Sequence, residues 1–184
     1  MKLSLSLCLS IIIVSFISGT IERSAASNNL LLAKNINLAI NQDRAIDIFN
    51  GVIATDPNDA KFYFKRGIEK NKQGRYQDAI IDYNQGIILA PDFAFGYAMR
   101  ASAKVELGLY QEAINDYDRF IALAPNNEAI AKFYVLRSYA KLEVGNKQGA
   151  IADMTTASEI FRQQNKMDDY QKTMKFVQEM KANK

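Results

Sequence analysis

Proline occurs only three times in this 184-residue chain, at Pro57, Pro91 and Pro125, with a constant spacing of 34 residues. Other residues keep the same spacing, among them Gly74 and Gly108. A period of about 34 residues is typical of a unit of two helices that recurs along a chain. The sequence therefore predicts an array of helical hairpins, each packed against the next.

Each of the two central units contains two helical patterns with a glycine between them. Apolar residues recur at helical spacing over residues 61–72, and Gly74 follows where this helix must end, because glycine adopts the left-handed conformation at low cost. A second apolar stripe covers residues 76–89. Pro91 then ends the second helix, since proline lacks the N–H group that a continuing helix needs.

The two central units resemble tetratricopeptide repeats. The first contains Tyr-x-x-Arg-Gly from Tyr63, Gly-x-Tyr-x-x-Ala-Ile-x-x-Tyr from Gly74, and Leu-Ala-Pro ending at Pro91. The second repeats this pattern from Tyr97, with Ala101 in place of the first glycine. The resemblance implies an all-α fold, a right-handed superhelical solenoid of helix-turn-helix hairpins. One-sided apolar spacing after residue 165 adds a C-terminal capping helix, because a terminal repeat needs a cover for its apolar face.

The chain is accordingly divided into six segments. Residues 60–93 and 94–127 are the clear repeats, and residues 131–164 are a weaker repeat shifted by three inserted residues. Residues 26–59 are interpreted as a degenerate repeat with its turn at Ile40 and Asn41. Residues 165–184 form the capping helix and tail, and residues 1–26 form a signal peptide or membrane anchor.

The N-terminal segment has an apolar run over residues 3–17 behind Lys2, followed by small residues. This pattern is typical of a secretory signal peptide, with cleavage after Gly19 or Ala26. When the run is extended to Ile21 it has 19 residues, which is close to the ~20 that span a bilayer. We expect an exported protein of a short bacterial type, periplasmic or secreted, with a membrane-anchored protein as the alternative.

The composition argues against several classes of function. The chain has no histidine, the usual general base and commonest metal ligand, and its one cysteine, Cys8, lies in the N-terminal segment. The glycines are spaced by the repeat and form no phosphate-binding loop. The net charge of +3 is far from the strongly basic footprint of a nucleic-acid binder. We expect no enzyme activity, no cofactor, no metal site and no nucleic-acid partner.

The resemblance implies a concave groove, lined by the first helix of each unit, where family members generally hold a peptide or partner segment. The matching positions are Lys61, Phe64, Lys65, Ile68, Phe95, Met99, Ser102, Lys132, Leu136 and Tyr139. Aromatic anchors and steering lysines would suit a protein partner with apolar anchors and some acidic character. The competing interpretation places Phe64, Ile68 and Leu136 in the core between repeats.

Some members of the family bind chaperone tails by clamping a terminal carboxylate with a fixed set of lysine, asparagine and arginine residues. Of the matching positions in this chain only Lys132 agrees with that set, because the others hold Phe64, Ile68, Met99 and Leu136. We therefore do not expect chaperone-tail binding.

An arginine and an aspartate 16 residues later recur in three units, as Arg66 with Asp82, Arg100 with Asp116 and Arg137 with Asp153. This spacing joins the first helix of a unit to the second. We interpret the pairs as structural ion pairs rather than as ligand-binding charges. Exposed pairs of this kind would each stabilise the fold by about 0.2–1 kcal/mol.

Three hypotheses about function remain at this stage. The first is a non-enzymatic scaffold or adaptor that binds a partner segment in the groove. The second is a membrane-tethered assembly factor for an envelope or thylakoid complex. The third is a structural array that associates with copies of itself.

Overall fold

The computed structural model describes residues 31, 34–35, 38 and 40–182. The predictions of a signal peptide, its cleavage sites and a membrane anchor fall on residues outside this set. The chain divides into two units, Met1–Arg44 and Ala45–Lys184, and the described residues of the first unit are helical. Among the described helices, none is both long enough and apolar enough to cross a membrane.

The described residues contain helices and no strands. We number the helices α1, helical over residues 40–55; α2, Ala60–Lys72; α3, Tyr76–Leu89; α4, Ala94–Glu106; α5, Tyr110–Leu123; α6, Ile130–Glu143; α7, Lys147–Gln163; and α8, Met167–Ala182.

From α2 onward each helix packs against the next helix in the chain, and α2 also contacts α4. Helices α2 and α3, α4 and α5, and α6 and α7 form three successive hairpins, with α8 packed on α7. The expected all-α solenoid of stacked hairpins is thereby confirmed. Each hairpin buries its apolar face mainly against its neighbours.

The turns within the hairpins share one geometry. Gly74, Gly108 and Gly145 have φ angles of 74°, 72° and 79°, a left-handed conformation that glycine adopts without steric cost. After Gly74, the N–H of Arg75 donates to the carbonyl of Lys70 at 2.9 Å, the closing bond of a Schellman motif. The equivalent closing bond is present in the α7–α8 turn, where Asn165, at φ 58°, occupies the position that glycine fills in the other turns.

Close approach between helices depends on small residues. A Cβ atom at Gly67 would lie 2.5 Å from the Tyr83 ring, and Cβ atoms at Gly86 and Gly96 would lie 2.8 and 2.7 Å from the Phe64 ring. These glycines therefore make room for the two rings, which are buried.

The turn expected at Ile40 and Asn41 is wrong, because the helix is continuous over residues 40–55. This stretch has no proline or glycine until Gly51, and Ile46 and Ile53 form its buried side. Asparagine permits a turn but does not impose one.

The three inserted residues of the weaker unit can be located in the structure. The connection between α5 and α6 covers residues 124–129, whereas the one between α3 and α4 covers residues 90–93. Two extra residues lie in this connection, and α6 is one residue longer than α4. The side chain of Asn127 accepts a hydrogen bond from the N–H of Ala129 at 2.8 Å just before α6 begins.

Candidate functional site

The sequence-predicted groove residues lie on the first helices of the three hairpins. Helix α2 carries Lys61, Phe64, Lys65 and Ile68; α4 carries Phe95, Met99 and Ser102; and α6 carries Lys132, Leu136 and Tyr139. Their exposure differs widely, since Leu136 and Tyr139 are 43% and 49% exposed while Phe64 is only 6% exposed. Whether they bind a partner stays a prediction.

The first apolar cavity lies between α2 and α4 and has a volume of about 470 Å³. We call it the α2–α4 cavity. It brings together five of the sequence-predicted residues, and its lining consists of Asp59, Ala60, Lys61, Phe64, Lys65, Ile68, Ala90, Phe93 and Met99. The buried Phe64 belongs to the core and also forms part of the cavity wall.

A row of phenylalanine rings extends from this cavity towards α6. The Phe64 and Phe93 centroids are 4.9 Å apart, and Phe93 lies 6.3 Å from Phe95. Phe95 in turn lies 5.3 Å from Phe120 and 6.2 Å from Phe133. The row was missed from sequence because Phe93 lies in the turn after Pro91, outside both helical patterns. The aromatic residue Phe95, two positions further on, was the available sequence signal.

A second apolar cavity, the α6–α8 cavity, has a volume of about 400 Å³. It combines three sequence-predicted residues of α6 with side chains of α7 and α8 that sequence reasoning did not assign. The lining consists of Lys132, Val135, Leu136, Tyr139, Met154, Phe161, Asp169, Lys172, Thr173 and Phe176. The capping helix therefore helps to form a cavity as well as covering the last hairpin.

A smaller cavity of about 270 Å³ lies between α4, α5 and α6. Leu136 and Tyr139 line both this cavity and the α6–α8 cavity, so these two side chains form a ridge between them. Burial, together with the nearby charge of Asp116, raises the pKa of Tyr117 in the smaller cavity to about 12. Ser102 is exposed and, like Phe95, lines none of the three cavities.

Lysines line the α2–α4 and α6–α8 cavities. Lys61 and Lys65 line the α2–α4 cavity, and Lys132 and Lys172 line the α6–α8 cavity. All four are exposed, and none forms an ion pair with a residue that the structure describes. Lys61 and Lys65 place their Nζ atoms 5.9 and 6.0 Å from the Phe62 ring centroid.

The arginine and aspartate pairs lie away from these cavities, between the helices of each hairpin. Arg66 donates two hydrogen bonds to Asp82, from Nε at 2.9 Å and Nη2 at 2.6 Å, and Lys70 contacts the same carboxylate at 2.8 Å. These hydrogen bonds hold the pKa of the Arg66 guanidinium above its usual value, although burial opposes the effect. Asp82 is buried, so the stabilisation expected above for an exposed ion pair does not apply to this pair.

The same arrangement recurs in the next two hairpins. Asp116 accepts from Arg100 at 2.9 and 2.5 Å and contacts Lys104 at 2.9 Å. Asp153 accepts from Arg137 at 2.8 and 2.6 Å and contacts Lys141 at 2.8 Å. Each buried carboxylate is thus held by two cations.

Each arginine also donates a hydrogen bond to the preceding hairpin or helix. Arg66 reaches Asn50 of α1 at 2.8 Å, Arg100 reaches Asn84 of α3 at 2.7 Å, and Arg137 reaches Asp118 of α5. One guanidinium therefore joins three helices. The three acceptors keep the 34-residue period, which was the sequence signal that could have revealed them.

Comparison with known proteins gives one family match and several structural likenesses. Residues 96–127 match the family model described as tetratricopeptide repeat. No curated protein matches the chain.

Three solved structures illustrate the likeness of fold. MamA from Desulfovibrio magneticus RS-1, residues 41 to the end, is 17% identical, with 78% of this chain and 87% of that chain covered and a TM-score of 0.62. PcrH, solved in complex with the chaperone binding region of PopD, is 17% identical, with 66% and 90% covered and a TM-score of 0.59. The first repeat domain of Spaghetti (RPAP3), bound to the HSP90 peptide SRMEEVD, is 23% identical, with 56% and 82% covered and a TM-score of 0.52.

Proposed function

We propose that this chain, which matches the tetratricopeptide-repeat family model over residues 96–127 and has the fold of such repeats, is a non-enzymatic adaptor that holds a segment of a partner protein. The segment binds the face formed by α2, α4 and α6. The observation that carries the proposal is the set of exposed apolar side chains on this face, Phe95, Leu136 and Tyr139, beside apolar cavities. Exposed apolar surface next to concave, apolar cavities is typical of a binding site.

Two of the structural likenesses support this proposal. PcrH and the first repeat domain of Spaghetti were each solved with a segment of another protein bound. The present chain keeps only Lys132 of the positions expected for a carboxylate clamp, so we propose a partner other than a chaperone tail. The chain has no histidine, and its α2–α4 and α6–α8 cavities present mainly apolar side chains and lysines, which suits recognition rather than acid–base chemistry.

We propose further that the adaptor is exported, periplasmic or secreted, because its apolar N-terminal run has the pattern of a signal peptide. The alternative is an uncleaved anchor, which would make the protein a membrane-tethered assembly factor for an envelope or thylakoid complex. The mass of the purified protein and its fractionation between membrane and soluble extracts distinguish the two.

Self-association is the second candidate, because α1 leaves Ile48 exposed and α3 leaves Ile81 and Ile88 exposed. Light scattering at rising concentration tests it. A particle mass that stays at the monomer value would remove this candidate.

Affinity capture from solubilised envelope tests the adaptor proposal. We expect wild type to capture a partner that the double variant Phe95→Ala, Tyr139→Ala loses, since these rings provide binding area on the groove face. The matched control is Ile81→Ala, Ile88→Ala, which removes two exposed apolar side chains from α3. Retention by the groove variant, or loss by both variants, would contradict the proposal. Circular dichroism checks that each variant is folded.

A further inference from the structure

The α6–α8 cavity differs from a gap between two ordinary repeats, because the capping helix forms one of its walls. Met154 and Phe161 of α7 are buried beneath it. Tyr139 of α6 and Phe176 of α8 both line it and contact each other, with ring centroids 5.5 Å apart. A volume of about 400 Å³ is within the range of small ligand pockets and accommodates a leucine or phenylalanine side chain.

The charges at the cavity favour an acidic occupant. Lys132 and Lys172 are exposed and make no ion pair with the described residues, and Asp169 is the only acidic residue in the lining. Most other cations at this end of the array have carboxylate partners, as in the pairs Arg137–Asp153, Lys141–Asp153, Arg162–Glu159, Lys166–Glu128 and Lys175–Glu179.

The α2–α4 cavity repeats this combination of an apolar interior and lysines that make no ion pair with any described residue. Lys61 and Lys65 line it, whereas Arg66 and Lys70 on the same helix are both paired with Asp82. The ring cluster of Phe95, Phe120 and Phe133 lies between α4 and α6, so the two cavities are separate sites.

We propose that the α6–α8 cavity is a second anchor site, and that the partner is one acidic segment with two apolar anchors, one in each cavity. This inference rests on the proposed function for its premise that a partner segment binds this face. The chain's own N-terminal apolar run is a poorer occupant, because it carries Lys2 and has no acidic residue before Glu22. The lysines would steer the acidic segment, and the apolar anchors would supply most of the affinity.

Selection of random 16-residue peptides displayed on phage against the full chain tests the proposal. We expect the enriched peptides to combine acidic residues with two apolar anchors. A synthetic, fluorescein-labelled copy of one enriched peptide is then titrated with each variant by fluorescence anisotropy. We expect Lys132→Glu, Lys172→Glu to weaken binding about tenfold at low salt and less at high salt, because salt screens exposed charges.

Three controls isolate the second site. The charge-matched variant Lys175→Glu, Lys181→Glu changes two lysines outside the cavity lining and should bind normally. Leu136→Ala tests the apolar wall without relying on charge. In a peptide whose second anchor is replaced by alanine, Lys132→Glu, Lys172→Glu should have much less additional effect, because contacting groups couple in a double-mutant cycle.

The outcomes separate this inference from the proposed function. Peptides whose binding responds to Lys61→Glu, Lys65→Glu but not to changes at Lys132, Lys172 and Leu136 would overturn the second site and leave the adaptor proposal standing. Enrichment of basic peptides would overturn the acidic partner. Failure to enrich any peptide would contradict both proposals.

Discussion

At the scale of single residues, the best-defined feature is the buried aspartate held by an arginine and a lysine. The sequence predicted the arginine partner from its 16-residue separation but missed the lysine four residues after the arginine, although it recurs as Lys70, Lys104 and Lys141. Sequence could not give the burial of Asp82, Asp116 and Asp153, because burial depends on how closely the helices of a hairpin approach. Removing one partner of such a buried pair therefore costs more stability than removing one partner of an exposed pair.

Replacing Asp116 by alanine should lower the free energy of unfolding by about 3–5 kcal/mol, because Arg100 and Lys104 would keep their charges without the shared partner. Urea denaturation followed by circular dichroism measures this change. Asp118→Asn is the control, since it gives Arg137 the amide acceptor that Arg66 and Arg100 already have, and it should cost less than about 1 kcal/mol. Equal costs for the two variants would contradict this account.

At the scale of helices and turns, regular repetition decided what the sequence could predict. The glycines spaced with the repeat indicated the ends of α2 and α4, and the structure has left-handed turns there. The continuous helix over residues 40–55 could not be predicted from the same period, because the sequence has neither glycine nor proline at the expected turn. The wall that α8 contributes to the α6–α8 cavity was also missed. A one-sided apolar pattern indicates which face of a helix is buried, but it does not indicate whether a cavity lies beside that face.

The α7–α8 turn offers a test of these turns, because Asn165 occupies the left-handed position that glycine fills in the other three. Asn165→Gly should leave the free energy of unfolding unchanged or raise it by up to about 1 kcal/mol. Gly108→Ala should lower it by about 1–2 kcal/mol, because a Cβ atom disfavours φ near 72°. Thermal melts of both variants provide the comparison, and an equally stable Gly108→Ala would show that the turn tolerates a side chain.

At the scale of the molecule, stability is shared between neighbouring hairpins. In the unit Ala45–Lys184, each hairpin packs on the next, and Val177 and Met180 of α8 are buried against Ala150 and Met154 of α7. Repeat arrays of this kind unfold locally, with a strong dependence on the nearest neighbour.

Val177→Asp should therefore loosen α8 and the last hairpin first, because it buries a charge without a partner. Hydrogen exchange should show a greater loss of protection in α6 and α7 than in α2 and α3. Gln178→Asp places the same charge at the next position of α8, which is exposed, and should leave protection unchanged. A uniform loss over all helices in the Val177 variant would indicate that the array unfolds as one unit.

The guanidinium groups that join three helices have a consequence for how such a chain can change in length. Arg66 and Arg100 each use an acceptor 16 positions upstream and another 16 positions downstream, so the contact is defined in whole units of the repeat. Duplication of residues 60–93 would place an asparagine equivalent to Asn84 opposite each new arginine. Gene duplication could therefore lengthen the array while keeping the same contact between units. An insertion of any other length would have to be accommodated elsewhere, as the three extra residues are in the α5–α6 connection and in the longer α6.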